Sequence, residues 1–223
     1  MTFGPGGVLF FTGFPNNTLG EIKSGSVTPD KTINLSGLSP AVASSVGSLG
    51  FVPTGFADAG GAKILSYNGG GWYNMTLTPD GSGTFNVAVS LVNTPGGGPE
   101  GIAYVSGANA GFGADSVLVD EYSNGVVASY KIDGSADPIL ASRQVFLQGL
   151  AGAEGAVIDP LTGDFIFSTF GGGNQVVVVS GFEAPTPGPA GIPEPMTLSL
   201  FGAGLAGLAV LRRRKKSIFR RSL

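Results

Sequence analysis

"GFGADSVLVDEYSNGVVASYKIDGSAD", residues 111–137, decides the fold. It runs as a Gly-Phe lead-in, a Val-rich run, a Tyr-Ser-Asn-Gly turn, a second Val/Tyr run and an Asp-Gly-Ser turn. Short runs of β-branched and aromatic residues, broken by Gly, Asn and Asp, are strand–turn–strand chemistry. The same order stands upstream in "GFADAGGAKILSYNGGGWYNMTLTPDGSG", residues 55–83. Asp80-Gly81-Ser82 and Asp133-Gly134-Ser135 lie 53 residues apart, and Glu100 of "PEGIAYV" and Glu154 of "AEGAVID" lie 54 apart. A fixed period of this size marks repeated supersecondary units that bury their apolar faces against one another.

One unit spells four strands: Gly101–Val105, Ser116–Tyr122, Val126–Ile132 and Arg143–Leu147. Four strands per repeat of about 50 residues describe a β-propeller blade. The pattern predicts an all-β body over residues 1–182, a partial propeller of about four blades. Residues 3–37 read as a blade lacking its inner strand, 48–92 and 100–149 as full blades, and 153–182 as a blade without a clear fourth strand. An open β-sandwich or solenoid of the same strands is the alternative. The opening "MTFGPGGVLFFTGFPNN" has no positive leader region, and its only apolar run, Val8–Phe11, is too short for a signal core. With the incomplete blades, this predicts a chain truncated at its N-terminus.

Composition narrows the chemistry. The 223 residues contain no cysteine and no histidine, which excludes disulfides, thiolate sites and every Ser-His-Asp triad. Any catalysis would rest on carboxylates, Lys, Tyr or a bound ion. The net charge of −3 hides an asymmetry: residues 1–211 hold five basic against fifteen acidic side chains, and the other seven basic residues follow Leu211. An acidic body with a basic tail does not suit nucleic acid, whose phosphates need a basic face on the folded part.

The C-terminus differs from the body. "FEAPTPGPAGIPEP" (residues 182–195) carries prolines at 185, 187, 189, 193 and 195, and reads as an extended linker over 183–195. "MTLSLFGAGLAGLAVL" (196–211) has no charge; at about 1.5 Å per residue it makes a helix of roughly 24 Å, against a hydrocarbon core of about 30 Å. The block Arg212, Arg213, Arg214, Lys215 and Lys216 then reads as a stop in a cytoplasmic tail over 212–223. These segments predict a single transmembrane helix with its C-terminus cytoplasmic and residues 1–195 outside.

This order — Pro-rich spacer, Pro193-Glu194-Pro195, short Gly/Ala/Leu helix, Arg cluster — resembles the PEP-CTERM sorting signal of exported proteins in Gram-negative, exopolysaccharide-making bacteria. The resemblance implies recognition by an exosortase-type membrane transpeptidase, with Pro193, Glu194 and Pro195 as the sorting motif, Arg212, Arg213 and Arg214 as the stop, and the body delivered to the cell surface or secreted. The same C-terminal element occurs in some bacterial ice-binding proteins. Ice adsorption predicts a flat Thr-rich face, and no TxT array is visible. The last repeat, "AEGAVIDPLTGDFIFSTFGGGNQVVVVSGF" (153–182), looks like a blade of NHL or SMP-30-like propellers, with Asp159–Gly163 as the turn between its first two strands.

Three function classes follow as expectations. The first is a non-enzymatic envelope or matrix protein whose body binds exopolysaccharide or envelope proteins and needs no cofactor. The second is a metal-dependent, SMP-30-like lactonase, for which Glu100 and Glu154 are the candidate ligands of calcium or another divalent cation, set at the entry of inner strands. The third is ice binding. Asp133–Asp137 has the look of a calcium loop but lacks the downstream Glu of an EF-hand, and reads as a hairpin turn. The tracts "NGGGW", "PGGGPEG" and "FGGGNQ" lack the Gly-Lys-Ser/Thr ending of a phosphate loop. Trp72, Tyr73, Tyr104, Tyr122 and Tyr130 read as core or cross-strand pairs before they read as sugar platforms.

Overall fold

The computed structural model describes residues 1–182. These form four small antiparallel sheets, each built from strands adjacent in sequence. Blade 1 holds β1 (Thr2–Phe3), β2 (Leu9–Gly13), β3 (Thr18–Ile22) and β4 (Lys31–Asn34). Blade 2 holds β5 (Val46–Phe51), β6 (Ala62–Ser66), β7 (Trp72–Pro79) and β8 (Phe85–Asn93). In blade 3 the strands are β9 (Pro99–Val105), β10 (Ser116–Glu121), β11 (Val126–Lys131) and β12 (Gln144–Gln148). Blade 4 has three, β13 (Ala153–Ile158), β14 (Phe165–Thr169) and β15 (Val176–Val179). Blade 1 therefore has an inner strand after all, though one of only two residues; Pro5 and the left-handed Gly6 and Gly7 turn the chain before it lengthens. Blade 4 lacks a fourth strand among the described residues, as its sequence predicts.

Alternation explains the packing. Along β10, Val117 and Val119 face one neighbour while Leu118 faces the other, and along β11 Ala128 and Tyr130 oppose Val127 in the same way. A sheet apolar on both faces must be covered on both. Three apolar cores result. One lies between blades 1 and 2 around Phe10, Leu19, Val46, Ile64 and Phe85. A second lies between blades 2 and 3 around Trp72, Leu65, Val117 and Tyr130, and a third between blades 3 and 4 around Leu118, Val127, Phe165 and Phe167. The inner strands β1, β5, β9 and β13 face a shared central space, so the arrangement is a propeller-like ring. Among the described residues no apolar core joins blade 4 back to blade 1; Val157 and Val178 on one side and Phe3 on the other are exposed.

The repeated Asp-Gly-Ser turns have a shared structural task. Asp80 Oδ1 accepts the Ser82 N–H at 2.9 Å, and Asp133 Oδ1 accepts the Ser135 N–H at 2.8 Å. Each turn closes the third-to-fourth strand connection of its blade and reaches back to a lysine of the preceding blade. Lys31 Nζ meets Asp80 at 2.8 Å, and the buried Lys63 Nζ meets Asp137 at 3.0 Å. Asp133–Asp137 is thus a turn, as its residue types predict. Trp72, Tyr73, Tyr104 and Tyr130 are core residues, and Tyr122 is half-buried on a blade rim.

The linker expected over 183–195, the transmembrane helix over 196–211 and the basic tail over 212–223 lie outside the described residues. Among the described residues no helix is long and apolar enough to cross a membrane.

Candidate functional site at the channel mouth

The inner strands begin with the same irregularity in three blades. In blade 3, Val119 pairs with Ile102 and Glu121 with Pro99, so Asp120 alone opposes Glu100 and Gly101. In blade 4, Glu154 is the extra residue between the pairs Ala153–Thr169 and Gly155–Ser168. In blade 2, Gly47 and Ser48 oppose Leu65. A bulge leaves one residue outside the ladder and re-aims its side chain. Here it puts Gly47, Glu100 and Glu154 at one level of the ring. All three line a cavity of about 290 Å³ together with Met1 and Thr12 of blade 1. The channel-mouth placement expected for Glu100 and Glu154 is what the structure has.

Gly47 is where the third carboxylate of the series would stand. A side chain there would collide with the Pro99 carbonyl and come within 3.1 Å of Glu100 Oε2, so its absence makes room for Glu100. Glu100 is half-buried and Glu154 exposed. Burial, then the charges of Glu154 and Asp120, push the Glu100 carboxyl up to about 7.

Asp120 is the residue that sequence reasoning missed. It occupies the position of Leu65 in blade 2 and Ser168 in blade 4. It is fully buried, and neither carboxylate oxygen has a hydrogen-bond partner. Burial pushes its carboxyl up to about 7. A carboxyl without donors in such a place keeps its proton to a much higher pH than a free side chain does. The available signal was an acid inside the run "SVLVDE", where the strand period calls for an apolar or small residue. Among the described residues no three His, Cys, Asp or Glu side chains converge on a point that would hold a metal ion. Glu100 and Glu154 therefore share a cavity without forming a three-ligand centre.

An aromatic side chain follows directly after the second strand of each blade: Phe14, Tyr67, Tyr122 and Phe170. Phe14 packs edge-on against Tyr67 at 6.3 Å between ring centroids, Tyr67 against Tyr122 at 5.5 Å, and Tyr122 Oη donates to the Phe170 carbonyl at 3.2 Å. Gly98 and Gly152 have positive φ, and a side chain on either would run into the Tyr67 or Tyr122 ring respectively. The ladder explains the recurrent aromatic, Phe or Tyr, before each Asn/Gly-containing turn in the sequence.

The sequence-predicted sorting residues Pro193, Glu194, Pro195, Arg212, Arg213, Arg214, Lys215 and Lys216 lie outside the described residues. Comparison with known families finds a PEP-CTERM protein-sorting motif over residues 191–215. That span holds all of these residues except Lys216, which follows it directly. The motif implies export, recognition by an exosortase and processing to the cell surface. Among curated proteins none matches the chain.

Proposed function

We propose that this chain is an exported cell-envelope or matrix protein whose propeller-like body is a non-enzymatic binding module, delivered by an exosortase acting at Pro193-Glu194-Pro195. The observation that carries the reading is the sorting motif over residues 191–215 at the end of an all-β repeat body. The apolar segment 196–211 holds the chain in the inner membrane until processing, and the basic block keeps its end cytoplasmic. Prolines at 185, 187, 189, 193 and 195 disfavour helix and sheet ladder alike, which suits a processing site. The partners that fit an outward-facing module are exopolysaccharide and other envelope proteins.

The metal-dependent hydrolase stands second. Glu100 and Glu154 face one cavity, which favours it, but a calcium-type centre takes six to eight oxygen ligands. Two carboxylates, with no third His, Cys, Asp or Glu side chain converging on them among the described residues, supply fewer ligands than that. The ice-binding reading has only the shared tail in its support.

The test uses the full chain in an exosortase-bearing host and in the same host lacking the exosortase. The expected result is a surface or extracellular body without its basic end in the first, and an unprocessed membrane-bound chain in the second. Changing Pro193, Glu194 and Pro195 together to Ala should reproduce the second outcome. A cytosolic chain with its arginine-rich end intact in the exosortase-bearing host would overturn the reading.

A further inference from the structure

A second open groove lies away from the channel mouth, at the other end of blade 3. On the face that blade 3 turns toward blade 4, Leu118 and Val127 are covered by Phe165 and Phe167. Further along, the same face becomes polar. Ser116 pairs across the sheet with Lys131, and Ser129 with Gln144. These four side chains line a groove of about 490 Å³, within the range of small-molecule sites. Its other wall is aromatic: Phe112, Phe146 and Phe182 are half-buried, with ring centroids 5.6 to 5.9 Å apart.

Lys131 sets this groove apart. Residues 1–182 hold five basic and thirteen acidic side chains. Lys23 is paired with Asp30, Lys31 with Asp80, Lys63 with Asp58 and Asp137, and Arg143 with Glu121. Lys131 is exposed and makes no ion pair among the described residues, although acidic groups outnumber cations more than two to one. Two neighbouring hydroxyls are already engaged: Ser116 Oγ donates to the Ala114 carbonyl, and Ser142 Oγ donates to the Ile139 carbonyl while accepting the Lys131 N–H. The Ser129 hydroxyl and the Gln144 amide make no side-chain hydrogen bond among the described residues, so they are available to a ligand.

We propose that this groove binds a carboxylate-bearing sugar unit, a uronic acid within an extracellular glycan, with Lys131 as its counter-ion, Ser129 and Gln144 as hydroxyl partners and the Phe112–Phe146–Phe182 wall against the ring face. The inference rests on the body being a displayed binding module, and it names the ligand class and the place. One ammonium, two neutral hydrogen-bonding groups and an aromatic wall of mutually tilted rings match a ligand with one charge, many hydroxyls and an apolar ring face. A polyphosphate needs several cations together, and the groove has one. The charge of the rest of the body repels a dense polyanion, which restricts the ligand to sparsely charged glycans.

The test measures binding of methyl glucuronide and methyl glucoside to the full chain by calorimetry or saturation-transfer NMR. The glucuronide should bind about five-fold more tightly, the share of one partly exposed charge pair. Lys131→Gln, an exposed position outside the cores, should erase that preference. Gln144→Ala should weaken both sugars. No glucuronide binding by the wild type, or a preference that survives Lys131→Gln, overturns the proposal. A parallel arm titrates the host's purified exopolysaccharide. Binding that Lys131→Gln leaves intact removes this site and keeps the module reading, whereas no binding by the wild type counts against glycan recognition by the body altogether.

Discussion

The carboxylate of Asp120 occupies the space that a side chain at Gly101 would fill: an ideal Cβ on Gly101 would stand 2.5 Å from Asp120 Oδ2 and 2.8 Å from the Glu154 carbonyl oxygen. Two acceptors, one from blade 3 and one from blade 4, thus face the same small gap. Ionised Asp120 offers its neighbour only repulsion there. Burial without a hydrogen-bond donor is what raises the Asp120 pKa, because it disfavours the charged form.

Stability should accordingly depend on pH through this carboxyl. Its pKa is about 7 in the fold against 3.8 for a free side chain. An acid with a raised folded pKa binds more protons folded than unfolded between those values. Its contribution is therefore fully present below about pH 4, declines as pH rises toward 7 and is flat above that. Glu100, also near 7 and facing Glu154 and Asp120, adds to the same slope. Asp120→Asn removes the ionisation and supplies an amide donor. Thermal melts should show a shallower decline over this range and, at pH 8, a gain on the order of 2 kcal/mol over the wild type. An unchanged pH profile would assign the slope elsewhere.

Gly101→Ala should lose about 1–3 kcal/mol, because the added methyl displaces either Asp120 or the blade 4 backbone, neither of which is a free chain end. Gly134→Ala is the matched control. Gly134 lies in the Asp133 turn, has nothing within 4 Å of the added atom and has no positive φ. It should change stability by no more than about 0.5 kcal/mol in denaturant titration. Equal effects at the two sites would mean that crowding around Asp120 is not what fixes Gly101.

The strands of blade 3 were legible because each depends on local pattern: the runs at 116–122 and 126–132 alternate correctly, and Gly125, left-handed at φ 62°, closes the turn between them. Glu100 and Glu154 were legible as a pair because the repeat carries them. Asp120 was not, since nothing within the sequence says that a bulge opposite it will leave its oxygens without donors. β1 was missed because two residues are too few to show a period. Lys131 had no signal either: its significance lies in the pairing of the other four cations, which is a long-range property. Asp137 read as part of a turn, and so it is, but its side chain works in another blade.

That side chain supplies the strongest stability prediction. Asp137 is buried and accepts from Lys63 Nζ at 3.0 Å, Trp72 Nε1 at 2.8 Å and Asn74 Nδ2 at 2.8 Å, all three from blade 2. Lys63 is itself fully buried and also meets Asp58 and the Ser135 carbonyl. The pair joins the second blade to the third across an apolar core. Removing one partner of a buried pair leaves the other charge uncompensated, which costs about 3–5 kcal/mol. Lys63→Met should therefore lower stability by about that amount, while Lys63→Met combined with Asp137→Asn should recover part of it, because the amide keeps one acceptor for Trp72 and carries no charge. The exposed Lys23–Asp30 pair is the contrast: Lys23→Met should cost no more than about 1 kcal/mol. Denaturant titration of the four chains decides the matter; a double variant no more stable than Lys63→Met alone would mean that Lys63 acts through packing of its stem rather than through the charge of Asp137.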